Sequence, residues 1–243
     1  MQNQYPILQG NIVDVYLLSK YLFTNFAQRQ VQCLPLKYNT MANWISYPTT
    51  LTGQTVELRS ISKDHFTELE AVAKNKKIWE FYPFDGSDSN TFAHIFNGAI
   101  IEREKGNQFP FVIFHQQQNK IIGSTRFLDI QEKHKKLEIG STWLHPDYWA
   151  TAINPECKLL LLQYCFENLH AVRVQLKTDE NNIRSRKAIE KIGGQFEGIL
   201  RNDMIRDNGT NRNSAYFSII NEEWKDKKIQ LTNVYQLKKN VNC

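Results

Sequence analysis

The sequence has few of the devices on which small secreted, metal-binding or membrane proteins depend. Its four cysteines, Cys33, Cys157, Cys165 and Cys243, form no C-x-x-C pair and no ligand spacing with histidine. Neither a disulfide framework nor a metal site is therefore expected, and free thiols fit a cytoplasmic protein. No apolar run is long enough to cross a bilayer: the richest, residues 12–26, is interrupted by Asp14 and Lys20. It lacks a basic segment before it and a small-residue cleavage site after it, so no secretory leader is expected. Also missing is a face on which basic and aromatic residues interleave. Lysine and arginine clusters at 74–77, 133–136, 184–187 and 225–228 contribute to a net charge of +5 but are scattered among acids. They read as solvated surface, which argues against a nucleic-acid partner.

What is present fits one main globular domain: 243 residues, 41% hydrophobic and 23% charged, enough for a sizeable core. The chain is organised around residues 136–194. A strand at 138–144 runs into His145-Pro146-Asp147, where proline ends regular pairing. Asn154 stands where a helix N-cap is expected, Pro155 at the first helical position and Glu156 at the positive end of the dipole. The helix body, 157–169, is apolar over most of its circumference, which suits packing on a sheet. Val172, Val174 and Leu176 then alternate with polar residues, so a strand follows directly. The result is a βαβ unit with its helix N-terminus, a ready anion site, beyond the end of the first strand. A further helix follows, capped by Gly193 or Gly194, with Ser185, Ala188, Ile189 and Ile192 on one inward stripe.

Asn182 with Ser185 and an intervening arginine, the loop WATAINPECK at 149–158, the segments EIG and WLHP, and the RND and DNGT pieces of the late hairpin together resemble the GCN5-related N-acetyltransferases (GNATs). The similarity is to the branch that includes the Rim-type ribosomal-protein N-terminal acetyltransferases, and it spans roughly residues 51–222. It implies an α/β (α+β) fold, a mixed, mostly antiparallel sheet of six to seven strands flanked by about four helices. It also implies acetyl-CoA as co-substrate and an amine acceptor, either a protein N-terminus or a small molecule. By the same resemblance the pantetheine arm would lie along the splayed end of the strand, at Trp143 and Leu144. The pyrophosphate would lie on the loop formed by Trp149, Ala150, Thr151, Ala152, Ile153 and Asn154. Asn182 and Ser185 would contact the cofactor near its thiol end, and Arg184 or Lys187 would meet its phosphates. Relatives usually carry glycines where Ala150 and Ala152 stand, and a leaving-group tyrosine where Ile189 stands.

For the base, Glu138 is the first candidate, because relatives use a carboxylate on this strand. The plain alternative is a surface glutamate paired with Lys136. Ser185 is the alternative catalytic contact, and its bland reading is a hydroxyl satisfying a nearby carbonyl. His145 reads as structural. A second functional hypothesis is a non-catalytic CoA-binding or partner-binding domain, for which the missing glycines and tyrosine speak.

In chain order, residues 1–50 read as an N-terminal extension, with a natural start at Met41 as one reading. The first forty residues read otherwise as an added amphipathic helix that docks on a partner or pairs two chains into a homodimer. Strands are expected at 55–59, 109–115, 120–129, 195–201 and 213–220. Helices are expected after Ser62 and from Ser87 or Ser89, and between them lies an aromatic connection, Trp79 to Phe84, whose roles are packing or substrate contact. Asp207-Asn208-Gly209-Thr210 is the strongest turn signal. Residues 223–243 read as a polar, lysine-rich tail, loosely held.

Overall fold

Alternating apolar residues generate eight strands in the computed structural model, which describes residues 44–241. They are β1 (Thr50–Thr52), β2 (Val56–Ser60), β3 (Phe109–His115), β4 (Lys120–Gln131), β5 (Lys136–Leu144), β6 (Arg173–Asp179), β7 (Gln195–Ile205) and β8 (Asn211–Ile220). All belong to one sheet of order β1-β2-β3-β4-β5-β6-β8-β7, in which only β5 and β6 run parallel. A parallel pair needs a crossover, and α3 (Ile153–Gln163) supplies it. The expectations for residues 1–43, a natural start at Met41 and a pairing or docking segment included, lie outside the described residues.

The fold is the expected mixed sheet with flanking helices, but with one strand and one helix more. The extra strand, β1, is too short to show a pattern. Its turn into β2 is held from a distance by Glu156, whose Oε1 accepts from the N–H groups of Gln54 and Thr55. The extra helix is α5 (Trp224–Val241), formed by the segment read as a loose tail. Trp224, Leu231 and Tyr235, at i, i+7 and i+11, give it a buried stripe within an otherwise polar sequence.

The two faces of the sheet carry separate apolar layers. Helices α1 (Phe66–Ala73) and α2 (Ser89–Glu104) bury Leu69, Phe92 and Phe96 against Val112, Ile121 and Trp143. Asp88 caps α2, its side chain accepting from Thr91 N–H at 2.8 Å. On the other face α3, α5 and α4 (Ile183–Lys191) cover Phe111, Phe127, Leu137, Ile139, Val174 and Phe217. Each such phenylalanine contributes roughly 1.5–3 kcal/mol by leaving water.

Two irregularities open the sheet at its centre. Ser124 opposes Trp143 and Arg126 opposes Gly140, so Thr125 alone faces both Ser141 and Thr142. This is a β-bulge, with Ser141 at φ +45°. Pairing of β5 with β6 ends at Glu138 and Gln175, and beyond it the two strands part. The crossover helix also begins earlier than expected: Ala152, not Asn154, is its N-cap, and Pro155 is the third helical residue. Proline is tolerated there because the first N–H groups of a helix have no carbonyl to meet. The last turn widens into a π-helical segment, Tyr164–Asn168.

Candidate active site

Glu138 sits at the point where β5 and β6 part. Leu137 and Ile139 face the α3 layer, so period-two alternation turns Glu138 to the opposite face. It is 3% exposed, which overturns the picture of a surface glutamate paired with Lys136. Its partners come from the neighbouring strand: Gln175 Nε2 donates to Oε2 at 2.8 Å, and Lys177 Nζ lies 3.7 Å away. Burial raises its pKa, and the Lys177 charge opposes that shift without cancelling it. Space for the carboxylate comes from Gly140, where a Cβ would stand 2.7 Å from Oε1 and 2.7 Å from a Leu128 methyl.

Under the bulge lies a buried polar cluster. Lys158, on α3, donates from Nζ to Thr142 Oγ1 at 2.6 Å, and Thr142 Oγ1 meets Thr125 Oγ1 at 2.7 Å. Burial lowers the Lys158 pKa to about 8. From the other face Tyr82 donates to the Thr142 carbonyl at 3.1 Å. The bulged residue is thus held by both a helix and the aromatic connection. None of this was readable from the sequence, where Lys158 is one charge in an apolar helix and Tyr82 one ring among several.

Beyond the end of β5 the loop from Trp149 to Asn154 leads into α3. Ala150 is left-handed at φ +63°, the conformation for which glycine is usual, whereas Ala152 at φ −73° is unstrained. Among the described residues no group accepts from the N–H groups of Ala150, Thr151, Ala152 or Asn154; Ile153 N–H donates weakly to Thr151 Oγ1 at 3.3 Å. Successive free amides around a left-handed residue form an anion nest, which fits a diphosphate. The Trp149 N–H is already committed to Pro146 O, and its indole donates to Leu144 O. Trp149 therefore offers its ring, over which the Arg184 guanidinium lies at 3.7 Å. From α5, Lys238 donates to Ala150 O at 2.5 Å.

Asn182 and Ser185 stand together at the start of α4, but as cap and capped: Asn182 Oδ1 accepts from Ser185 N–H at 3.0 Å. Ser185 is half-buried and Lys187 exposed. Trp143 and Leu144 turn their side chains into the two core layers, so only their backbone is available along the split. Ile189 is core, and no tyrosine replaces it on α4. Two tyrosines stand elsewhere on the Glu138 face. Tyr82 is one, and Tyr216 on β8 is the other, its hydroxyl donating to Asp203 Oδ1 at 3.1 Å. Burial raises both phenols well above their ordinary range. The far wall is the β7–β8 hairpin, tied to the aromatic connection by Asp207 N–H donating to Pro83 O at 2.8 Å. Among the described residues no cluster of three or more histidine, cysteine or acidic side chains is placed to hold a metal, and no helix is long and apolar enough to cross a membrane.

A mixed sheet split at its one parallel pair, with a loop of free amides at the mouth and a buried carboxylate inside, is the architecture of an acyltransferase. Residues 55–195 match the Acetyltransferase (GNAT) domain, and the chain belongs to that family. It is 25% identical over 171 residues to the uncharacterized N-acetyltransferase YoaA of Bacillus subtilis, covering 67% of this chain and 92% of the relative. The crystal structure of a GCN5-related N-acetyltransferase from Brucella melitensis superposes with a TM-score of 0.70 at 24% identity, over 76% of this chain and 85% of that one. Mycobacterium smegmatis RimJ, solved in complex with CoA-disulfide, superposes with a TM-score of 0.67 at 19% identity, over 77% and 95% of the two chains. At such identities these two likenesses speak for the fold alone. The protein is an acyltransferase of the N-acetyltransferase type.

Proposed function

We propose that the protein transfers an acetyl group from acetyl-CoA directly to a primary amine, on a protein N-terminus or a small molecule. The observation that carries this reading is the buried carboxylate of Glu138 where β5 and β6 part, on the strand that leads into the amide-lined loop. Acetyl-CoA, when bound, supplies an activated thioester carbonyl. The loop amides of Ala150, Thr151, Ala152 and Asn154, with Ile153 at the helix start, hold its diphosphate. Arg184 and Lys187 add charge, and Trp149 fixes Arg184 from below. Backbone groups of Trp143 and Leu144 line the arm, and Asn182 and Ser185 border its thiol end.

Glu138, ionised, takes the proton from the acceptor ammonium, the free amine forms its bond to the acyl carbon as the carbon–sulfur bond breaks, and the nitrogen gives its surplus proton to water as the amide forms. The thiolate is a tolerable leaving group and takes its proton from water. Lys177 and Gln175 keep Glu138 ionisable despite burial. A non-catalytic CoA-binding domain is the alternative, favoured by a non-glycine residue at the strained loop position and by Ile189 where relatives carry tyrosine.

Calorimetric titration with acetyl-CoA separates the two when joined to transfer of labelled acetyl groups to a panel of amines. Binding weakened at least about tenfold in the Asn182→Ala, Ser185→Ala double variant, with label transferred by the parent, supports the enzyme. Binding without transfer to any amine supports the alternative. No binding by the parent overturns both.

A further inference from the structure

The Glu138 face of the sheet carries two guanidinium groups whose hydrogen bonding is incomplete. Arg126 and Gly140 are opposed in register, and Glu138 Oε1 lies over Gly140, so Arg126 stands on the strand beside the candidate base. Its one hydrogen bond goes to an amide oxygen, Gln108 Oε1, at 3.1 Å. Among the described residues no carboxylate pairs with it, and its Nε is buried without a partner. Arg212, on β8, is 8% exposed. It pairs with Asp179 at 3.5 Å, sharing that carboxylate with Arg206 at 2.6 Å, and Asp203 also attracts it, but its Nε too lacks a hydrogen bond. Tyr82 lies within electrostatic reach of both guanidiniums.

Burying a charge with incomplete pairing costs up to several kcal/mol, and an anion that met these donors would recover part of that cost. Water does not reach either Nε. Asp203, whose neighbour Met204 pairs with Arg212 across the hairpin, has Oδ2 buried and unpartnered, while its other oxygen accepts from Tyr216. The Glu138 face therefore carries the carboxylate of Glu138 on β5 together with two incompletely bonded guanidiniums, Arg126 on β4 and Arg212 on β8. That polarity is complementary to a molecule with an ammonium at one end and a carboxylate close by.

We propose that Arg126 and Arg212 form a carboxylate subsite, so that the amine presented to Glu138 belongs to an acceptor bearing an acidic group beside it. The inference rests on the acyl-transfer reading above. Guanidinium suits this task because its planar donors meet carboxylate oxygens in pairs. Two sources carry the same chemistry: the α-carboxylate of a free amino acid, and an acidic side chain next to a polypeptide N-terminus.

The test compares acceptors that differ only in that carboxylate: free amino acids against their α-amides, and short peptides with glutamate second against the same peptides with glutamine second. The parent protein is expected to prefer the carboxylate member of at least one series by about tenfold or more in kcat/KM, since a site built around a charged partner rejects the analogue that lacks it. The series showing the preference names the source. In Arg126→Gln and in Arg212→Gln the ratio between members is expected to fall toward one, with acetyl-CoA affinity retained as the check that each variant folds. Turnover without a carboxylate preference in either series overturns the subsite and leaves the enzyme standing. Binding of acetyl-CoA with no turnover of any acceptor overturns the acyl-transfer reading and the subsite with it.

Discussion

Glu138 carries opposite demands on stability and on rate. Its pKa in the folded chain is raised by burial, so its neutral form is favoured by folding, and the stability it lends is full at acid pH and lost as pH rises through the raised value. Ionisation at neutral pH is thus held against the fold, and in the proposed mechanism it is the ionised form that accepts a proton. Glu138→Gln is expected to raise the melting temperature at pH 7 relative to the parent and to lose that advantage near pH 4, as a pair of thermal scans would record. The same variant is expected to lower kcat on the order of 10²-fold, and the parent's rate to climb with pH along a limb above the ordinary carboxylate range. Sequence pointed to this residue through its strand. It could not reveal Gln175 and Lys177 as partners, because a parallel register, not chain proximity, brings them there. Arg126 and Arg212 were invisible for the same reason: each is one more charge on a strand until β4 and β8 are placed on one face.

At the level of single elements, the loop before α3 and the bulge of β5 are where regular structure gives way. Ala150 bears the strain of a left-handed backbone that glycine adopts freely. Ala150→Gly is expected to stabilise the chain by up to about 1 kcal/mol, measured by denaturant unfolding, and to tighten acetyl-CoA binding measured by calorimetry. At the bulge, Thr142→Val removes the acceptor of a buried ammonium and the partner of Thr125. A loss of about 1–3 kcal/mol is expected. It should shrink as pH rises through the lowered Lys158 value of about 8, because the neutral amine is cheaper to leave unpaired. Strands and turns here followed their patterns closely: β3 spans the predicted 109–115, and the Asp207–Thr210 turn forms with Gly209 at φ +79°. The start of α3 was misplaced because Asn154 and Pro155 are good cap residues that also fit a first turn, where no N–H is missed.

At the scale of the sheet, the order β5-β6-β8-β7 makes the split, among the described residues, the only place where parallel pairing begins and fails. The sheet type and its resemblance to a known family were readable because the motifs lie within one continuous βαβ stretch. The C-terminal helix was not, since its apolar side rests on three widely spaced residues. Leu231 and Tyr235 are nonetheless as buried as the sheet core, and Lys238 reaches the loop from the same helix. Truncation after Glu223 is therefore expected to lower the melting temperature by about 10 °C or more, corresponding to a loss of several kcal/mol of packing, in a scanning calorimeter.

Position 140 sets a limit on how such a site can drift. The Glu138 carboxylate occupies the volume that any side chain there would claim. A change to alanine would leave every proposed catalytic group in the gene and every strand in register, yet displace the Glu138 carboxylate from the place where the proposed mechanism uses it. Inactivity would then be inherited through a methyl group, and a survey for lost catalytic residues would find nothing missing.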